Sequence, residues 1–253
     1  MISPLRLLAA GAVALIGIAT ATAAEISPAQ RGDIEKIVHD YIIAHPEVLQ
    51  EAIAELEKRQ AQAQALKQQA SVKDNAAEIF NSPRQVVLGN PHGDVTMVEF
   101  FDYNCGYCKH AMSDMLTLLK TDPKLRVVLK EFPVLGPGSV EAAKVAVAVR
   151  MQDKTGQKYL EFHTKLLGGR GQADGARALA VAKDVGLDMT RLQKDLASNE
   201  IKATINENLK LGDELGLSGT PSYVIGKDVV VGAVGLDALK QQISTARCGK
   251  AAC

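Results

Sequence analysis

The chain has 253 residues, of which 29 are basic and 29 acidic, so its formal net charge at neutral pH is zero. This balance excludes the large net positive charge typical of a nucleic-acid-binding protein and indicates no strongly charged partner. Hydrophobic residues make up 47% of the chain, aromatic residues only 4%, and Trp is absent. A globular protein with a mostly aliphatic core is therefore expected.

The first 24 residues have the pattern of a secretory signal peptide. Arg6 precedes an apolar stretch over residues 7–19, and small residues follow it, which predicts cleavage after Ala23 or Ala24. The apolar stretch is short for a membrane span and contains two glycines, so an uncleaved anchor is the weaker alternative. We expect the mature chain to be exported to the periplasm, where disulfides persist.

Residues 25–82 are predicted to be helical. Ser27-Pro28 offers an N-cap followed by proline at the first helical position, and His45-Pro46 is expected to end or kink this helix. The next helix begins with apolar residues along one face and continues as a polar stretch of strong helix formers. An apolar stripe followed by a polar helix predicts a self-association stalk, and packing on the rest of the chain is the alternative.

Residues 83–253 are predicted to form one α/β domain. Alternating and buried apolar patterns predict strands, and 3.6-residue periodicity predicts helices. The strands are expected at 85–88, 95–101, 125–132 and in a hairpin at 222–231; the helices are expected at 107–120, in an insertion over about 139–215, and at 236–246.

Two cysteines follow the predicted strand 95–101, in the sequence Cys105-Gly106-Tyr107-Cys108. Cys105 is thereby placed at a helix N-terminus, where unpaired backbone N–H groups and the helix dipole favour the thiolate over the thiol. The thiolate is the species that attacks a disulfide, and a more buried Cys108 would resolve the mixed disulfide. A structural disulfide, or half of a zinc site completed by Cys248 and Cys253, is the alternative.

Three segments carry a resemblance to a known family: residues 99–108 (EFFDYNCGYC), 130–133 (KEFP) and 219–223 (GTPSY). In this order, over residues 85–246, the chain resembles thioredoxin-fold proteins of the DsbA-like group. The N-terminal helices add a resemblance to the ScsC-like branch (suppressor of copper sensitivity proteins), some of whose members trimerise through such helices and act as disulfide isomerases. The implied fold class is α/β: a thioredoxin-like fold with a helical insertion, preceded by an N-terminal α-helical oligomerisation stalk.

The resemblance implies a substrate-binding role for four residues. Thr220-Pro221 would face the cysteines, with a cis bond that exposes the backbone of Thr220 to pair with an extended substrate; an ordinary turn is the alternative. Gly106 and Tyr107 would adjust the reactivity of the Cys105 thiolate through side-chain bulk and local hydrogen bonding. This dipeptide differs from the more oxidising one of the DsbA family, so the strength of oxidation stays open.

Four further residues have predicted roles. In the resembled family an acid at the position of Glu99 assists proton transfer from the buried cysteine, and Lys130 is the candidate to pair with it; a charge facing water is the alternative. Cys248 and Cys253 lie outside the resemblance and are expected to form a structural disulfide. An intermolecular link, a second redox relay and a metal site are the alternatives for this pair.

The sequence thus predicts a periplasmic protein thiol–disulfide oxidoreductase that acts on exported proteins and needs no cofactor or metal. A homo-oligomer, with a trimer favoured, would hold several active sites around a shared cleft and so favour isomerisation or reduction. A membrane redox partner would reduce or reoxidise Cys105 and Cys108. The alternatives are a monomeric DsbA-type dithiol oxidase, a Cu(I)-binding metal-handling protein, and a mainly structural surface protein.

Overall fold

The structure, a computed structural model, describes residues 27–153 and 155–253. The predicted signal peptide lies outside the described residues. Ten helices and five strands occur in the described part, and the chain divides into a helical unit ending at Glu57 and an α/β unit, Lys58–Cys253. The elements are α1 (Pro28–Ala44), α2 (Glu47–Asp74), α3 (Ala76–Asn81), β1 (Val86–Gly89), β2 (Val95–Phe101), α4 (Gly106–Thr121), β3 (Leu125–Glu131), α5 (Pro137–Gln152), α6 (Gln157–Gly168), α7 (Gly175–Asp184), α8 (Met189–Leu196), α9 (Asn199–Glu214), β4 (Ser222–Ile225), β5 (Asp228–Val231) and α10 (Leu236–Cys248).

The helical unit begins as the sequence predicts. The backbone N–H of Gln30 donates to the hydroxyl of Ser27, and the Gln30 side chain accepts from the backbone N–H of Ser27, which is a complete capping box. Helix α1 ends before His45-Pro46 and α2 starts at Glu47. No described residue of this unit is buried. Its exposed large apolar side chains, here called the apolar stripe, are Ile34, Ile37, Val38, Tyr41, Ile43, Val48, Leu49, Ile53 and Leu56.

The α/β unit is built on a five-stranded sheet with the order β1-β3-β2-β4-β5. Strands β2 and β3 are parallel and are joined by helix α4, whereas the other three neighbouring pairs are antiparallel. Such a crossover brings the carboxyl ends of β2 and β3 to the same edge of the sheet. The loop after β2, which carries the first cysteine, therefore lies at that edge.

Side chains alternate along β2 between two cores. Met97 and Phe101 enter the larger core, which also contains residues of α4, α5, α6 and α10. Val98 and Phe100 enter a second core with residues of α9. Both faces of the sheet are thus covered, as expected for a strand whose residues are almost all buried.

The polar second half of α2 belongs to the α/β unit and packs on its core, although the composition of this segment predicts little packing. Val72 and Ile79 are 3% and 0% exposed and belong to the second core. The side chain of Gln68 donates to the carbonyl of Leu215, and that of Gln69 donates to the carboxylate of Asp228. Val72 in α2 and Ile79 in α3 thus join this otherwise polar segment to the second core.

The predicted elements of the α/β unit are confirmed, with ends that differ by one or two residues. Strand β2 has the predicted bounds, and four helices, α6–α9, occupy the second part of the predicted insertion. No helix within residues 27–153 or 155–253 combines the length and apolar character needed to cross a membrane.

Candidate active site

Cys105 is the N-cap residue of helix α4. Its backbone is extended, and its Sγ accepts a hydrogen bond from the backbone N–H of Cys108 at 3.4 Å. An N-cap side chain satisfies one of the helix's unpaired N–H groups and lies at the positive end of the helix dipole. The sulfur of Cys105 therefore lies at the N-terminus of the helix, as the sequence predicts.

The two cysteines differ in exposure less than expected. Cys105 is 7% exposed and Cys108 is 0% exposed, and both are free thiols. Cys108 is the more buried of the two, as predicted, and Cys105 is also nearly buried because the loop containing Thr220 lies against its sulfur. The neighbouring Tyr107 is 71% exposed and Gly106 is also exposed, so the rim around the sulfur is open to solvent.

The Thr220-Pro221 bond is cis, and the loop that contains it faces Cys105. The thiol of Cys105 donates to the carbonyl oxygen of Thr220 at 3.1 Å. Strand β4 starts directly after this loop and pairs with β2, so that Ser222 lies opposite Phe100. This pairing explains how two residues 115 positions apart in the chain come into contact at the carboxyl end of β2.

Glu99 is buried behind the cysteines, which excludes the alternative of a charge facing water. It is 3% exposed, and its Oε2 has no hydrogen-bond partner among the described residues. Burial, with a smaller contribution from the charge of Asp114, raises the pKa of Glu99 to about 8. Burial also raises the pKa of the Cys108 thiol well above its usual range, and the negative charges of Cys105 and Glu99 add to this effect.

The predicted pairing of Lys130 with Glu99 is wrong. In the parallel register Glu99 lies opposite Leu129 and Lys130 lies opposite Phe100, so Glu99 and Lys130 point to opposite faces of the sheet. The fully buried ammonium group of Lys130 donates to the carbonyl of Glu78 at 2.9 Å, and its pKa is lowered to about 8 by burial. Lys130 therefore has no part in proton transfer at the cysteines.

Asp102 organises the loop before the cysteines, and sequence analysis did not identify it. Its carboxylate accepts hydrogen bonds from the backbone N–H groups of Asn104, Val134 and Leu135 and from the hydroxyl of Ser139. Its backbone carbonyl accepts from the N–H of Cys105. The available signal was an aspartate two residues before an asparagine, since such side chains often bond to the backbone two residues on.

A second buried carboxyl group, that of Glu131, lies at the end of β3 and binds a tyrosine of the loop before Cys105. It accepts hydrogen bonds from the hydroxyls of Tyr103 and Tyr159, and burial raises its pKa. The ring of His163 lies against Tyr103, and burial lowers its pKa to about 3, so this histidine is neutral. This network fixes Tyr103 two residues before Cys105.

Cys248 and Cys253 are bonded to each other in an exposed disulfide. This arrangement contradicts the alternative in which they complete a zinc site with Cys105 and Cys108. In the part of the chain that the structure describes, no group of three or more His, Cys, Asp or Glu residues is arranged to hold a metal ion.

Comparison with known families decides the classification. Residues 96–244 match the DSBA-like thioredoxin domain, which covers more than half of the chain. The chain belongs to the DsbA-like thioredoxin family. Residues 30–63 match the copper resistance protein ScsC N-terminal domain. The family resemblance, the thioredoxin-like α/β fold and the N-terminal helical region predicted from the sequence are thereby confirmed, and the chain is a member of a family of thiol–disulfide oxidoreductases.

Solved structures agree with this assignment. A thioredoxin-like oxidoreductase from Silicibacter pomeroyi is 44% identical, with a TM-score of 0.64, and the match covers 68% of this chain and 96% of that one. Salmonella enterica Typhimurium BcfH is 26% identical, with a TM-score of 0.76 and coverage of 87% and 96%. Proteus mirabilis ScsC in a transitional conformation is 25% identical, with a TM-score of 0.64 and coverage of 89% and 98%.

Curated relatives include longer proteins of another kind. The Na(+)/H(+) antiporter NhaA 1 of Salinispora arenicola is 29% identical over 168 residues, which is 66% of this chain but 25% of that protein. The chain therefore spans about a quarter of the length of the first curated relatives it matches.

Proposed function

We propose that this protein is a periplasmic thiol–disulfide oxidoreductase that acts on exported proteins, and that it works as an oligomeric disulfide isomerase or reductase. One observation carries the chemistry: the sulfur of Cys105 caps helix α4 and lies 3.1 Å from the carbonyl oxygen of Thr220. A nucleophile and a backbone group able to hold an extended substrate thus adjoin each other.

The first step is attack by the Cys105 thiolate on one sulfur of a substrate disulfide. The bond between Cys105 and that sulfur forms while the substrate S–S bond breaks, and the second substrate sulfur leaves as a thiolate. The N–H of Cys108 and the N-terminus of α4 stabilise the thiolate before the attack.

The second step is resolution by Cys108, which must first lose its proton. Burial keeps Cys108 a thiol at rest, so a nearby base is needed. Glu99 is buried, has a free Oε2 and a pKa raised to about 8, and its charge acts on Cys108. A carboxyl group with a pKa near the working pH is suited to accept this proton and return it later.

Thr220, Pro221, Gly106 and Tyr107 form the substrate-binding surface in this proposal. In the free protein the Cys105 thiol donates to the carbonyl of Thr220. Once Cys105 is in a mixed disulfide it has no proton to donate, and that carbonyl becomes available to a substrate N–H. The substrate would then pair with the backbone as an added strand.

The oligomer is supported by the apolar stripe of the helical unit. The stripe leaves side chains such as Ile37 and Ile43 about two-thirds exposed, at 67% and 69%, and an uncovered apolar surface of this extent is typical of an interaction site. The match of residues 30–63 to the ScsC N-terminal domain supports the same interpretation. We propose self-association through the stripe, with a trimer favoured.

The oligomeric state bears on the type of reaction. Several Cys105 sulfurs around one shared cleft can attack successive disulfides of one substrate, which favours isomerisation or reduction. The same assembly would hinder a partner built to reoxidise a monomer, so we propose a membrane redox partner that keeps Cys105 and Cys108 reduced. The signal-peptide pattern of residues 1–24 supports the periplasmic location.

The test is the refolding of a substrate with scrambled disulfides by the purified, reduced protein, compared with Cys105→Ser and Cys108→Ser. We expect the parent protein to restore substrate activity, Cys105→Ser to be inactive, and Cys108→Ser to accumulate mixed disulfides. A parent that only oxidises dithiols would replace this proposal by the monomeric oxidase. A parent that exchanges no disulfides but binds Cu(I) tightly would replace it by the metal-handling protein.

A further inference from the structure

An open cavity of about 460 Å³ adjoins Cys105. Its wall comes from the loop before α4, the first turn of α4, and the segment 167–172 after α6. Gly106 is part of its lining, whereas Thr220 and Pro221 are not, so the cavity adjoins the proposed substrate-binding surface on the side away from the cis-proline loop. Its volume lies within the range of about 300–1,000 Å³ that is common for ligand sites.

The charged residues of this cavity are all basic. Lys109 and Arg170 line it, and among the described residues no Asp or Glu is part of its lining. The ammonium of Lys109 donates to the carbonyl of Gly169 at 2.8 Å, which uses one of its three donors. The guanidinium of Arg170 makes no hydrogen bond or ion pair with any residue in 27–153 or 155–253, and the residue is exposed.

The wall that carries Arg170 is fixed to the cysteine loop. The side chain of Asn104 exchanges two hydrogen bonds with the backbone of Ala173, at 2.7 and 2.8 Å. The guanidinium of Arg177 donates to the carbonyls of Arg170 and Gly171. The backbone that positions Arg170 is thus held in place beside the nucleophile, and the free end of its side chain is available to a ligand.

We propose that this cavity, the carboxylate cavity, binds the carboxylate of an Asp or Glu side chain that lies near the reacting cysteine of the substrate. The inference rests on the proposed exchange function and names the substrate class for the same site. Two cations and the N-terminus of α4 attract an anion, and its position beside Cys105 means that the anion must be close to the substrate sulfur.

The test uses three short peptides that each contain one cysteine, linked as a mixed disulfide to a chromogenic aromatic thiol. The residue beside the cysteine is Glu, Gln or Lys. The Cys105 thiolate attacks the peptide sulfur, the bond to the aromatic thiol breaks, and the released thiolate is followed by absorbance. Each rate is divided by the rate with dithiothreitol, which removes the effect of the neighbouring charge on the disulfide itself.

We expect the parent protein to react about three- to fivefold faster with the Glu peptide than with the Gln peptide, and slowest with the Lys peptide, since an exposed ion pair contributes a factor of this size. In Arg170→Gln the ratio of the Glu-peptide rate to the Gln-peptide rate should fall to half of the parent's ratio or less. The matched control is Lys240→Gln, an exposed residue outside the cavity, which should keep the full preference.

Equal preferences in the parent and Arg170→Gln would overturn the carboxylate cavity, as would a parent with no preference, and both leave the exchange function standing. The same loss of preference in Lys240→Gln would also overturn it, because a long-range effect of net charge would then explain the result. Failure of the parent to react with any of the three peptides would overturn the proposed function and this inference with it.

Discussion

The helical unit and the α/β unit use the same apolar residue types in opposite ways. In the helical unit Ile37 and Tyr41 are 67% and 54% exposed, whereas in the α/β unit Phe100 and Met97 are 0% exposed. Both units have well-formed elements; the capping box at Ser27 is as complete as any helix start in the α/β unit. Local helix signals therefore say nothing about whether an apolar face finds a partner within the chain.

The difference teaches where stability and chemistry lie. The α/β unit buries its apolar side chains internally and holds every residue proposed to act in exchange. The helical unit forms the hydrogen bonds of its helical backbone but leaves the apolar stripe uncovered. Helices of this kind owe most of their stability to tertiary or intermolecular packing. We infer that the α/β unit folds by itself and that the helical unit completes its packing in an assembly.

The largest expected effect is that of Cys105→Ser, which should abolish disulfide exchange without changing the oligomeric state. Cys105→Ser should lower the rate of disulfide exchange by on the order of 10³-fold or more, because serine cannot replace the sulfur nucleophile. The sedimentation coefficient should stay that of the parent protein, since Cys105 is not part of the apolar stripe. A change in sedimentation would contradict this separation of roles.

The next effect concerns apolar burial. Phe100→Ala removes a ring from the second core, where Phe132 contacts it edge-on, and should lower the free energy of unfolding of the α/β unit by about 3–5 kcal/mol. Tyr41→Ala, the matched aromatic truncation in the apolar stripe, should change this free energy by less than about 0.5 kcal/mol. Urea unfolding followed by circular dichroism gives both values, and equal losses would contradict the contrast between the units.

A smaller effect depends on pH and concerns Glu99. Folding raises the pKa of Glu99 from 4.5 to about 8. The stability that Glu99 contributes in its protonated form is therefore fully present below pH 4.5 and is lost as the pH rises to 8. Glu99→Gln lacks this titration. At pH 4.5 the free energy of unfolding of Glu99→Gln should be close to that of the parent. Near pH 8 it should be higher than that of the parent by on the order of a few kcal/mol.

Urea unfolding between pH 4.5 and 8.5 checks this expectation. Glu51→Gln, on an exposed part of the helical unit, is the matched control and should follow the parent at every pH. Parallel curves for Glu99→Gln and the parent would mean that folding does not raise the pKa of Glu99, and its proposed exchange of a proton with Cys108 would fail.

The smallest effect locates the part of α2 that packs within the α/β unit. Gln69→Ala removes the hydrogen bond to Asp228 and should lower the free energy of unfolding of the α/β unit by about 0.5–1.5 kcal/mol. Gln60→Ala, at an exposed position of the same helix, should have no measurable effect. Equal values for the two variants would show that the helix is not docked at Gln69.

Much of the fold follows from local signals in the sequence. The continuous apolar run at 95–101, the turn residues around it and the cysteines after it predict β2 and the start of α4. Ser27-Pro28 and His45-Pro46 predict the ends of α1. Proximity of Thr220 to Cys105 is a different matter, because only the family resemblance implies it; no local pattern shows that β4 pairs with β2.

The errors have physical causes. Lys130 was paired with Glu99 because both are charged residues in predicted buried strands, but a one-residue offset in register decides which face each occupies. Val72 and Ile79 were missed as core residues, since two isolated apolar side chains give no periodic signal. Asp102 and Asn104 act through loop hydrogen bonds to residues more than 30 positions away, which sequence spacing does not encode.

The central claim is that assembly through the apolar stripe produces an isomerase. A chain beginning at Ser82 is a poor test, because it lacks the buried side chains of Val72 and Ile79. A better test is a double variant of the full chain that introduces two aspartates into the apolar stripe, Ile34→Asp with Ile37→Asp. Arg31→Asp with Lys36→Asp places two aspartates at polar positions of the same helix and is the control.

The deciding measurement is the refolding rate of a substrate with scrambled disulfides, with the oligomeric state of each protein determined by sedimentation velocity. We expect the stripe variant to be monomeric, to keep its exchange rate with a small disulfide, and to lose isomerisation by about tenfold or more, because the effective concentration of neighbouring Cys105 sulfurs is lost. The control should remain an oligomer and an isomerase. A monomeric stripe variant that isomerises as fast as the parent would contradict the account.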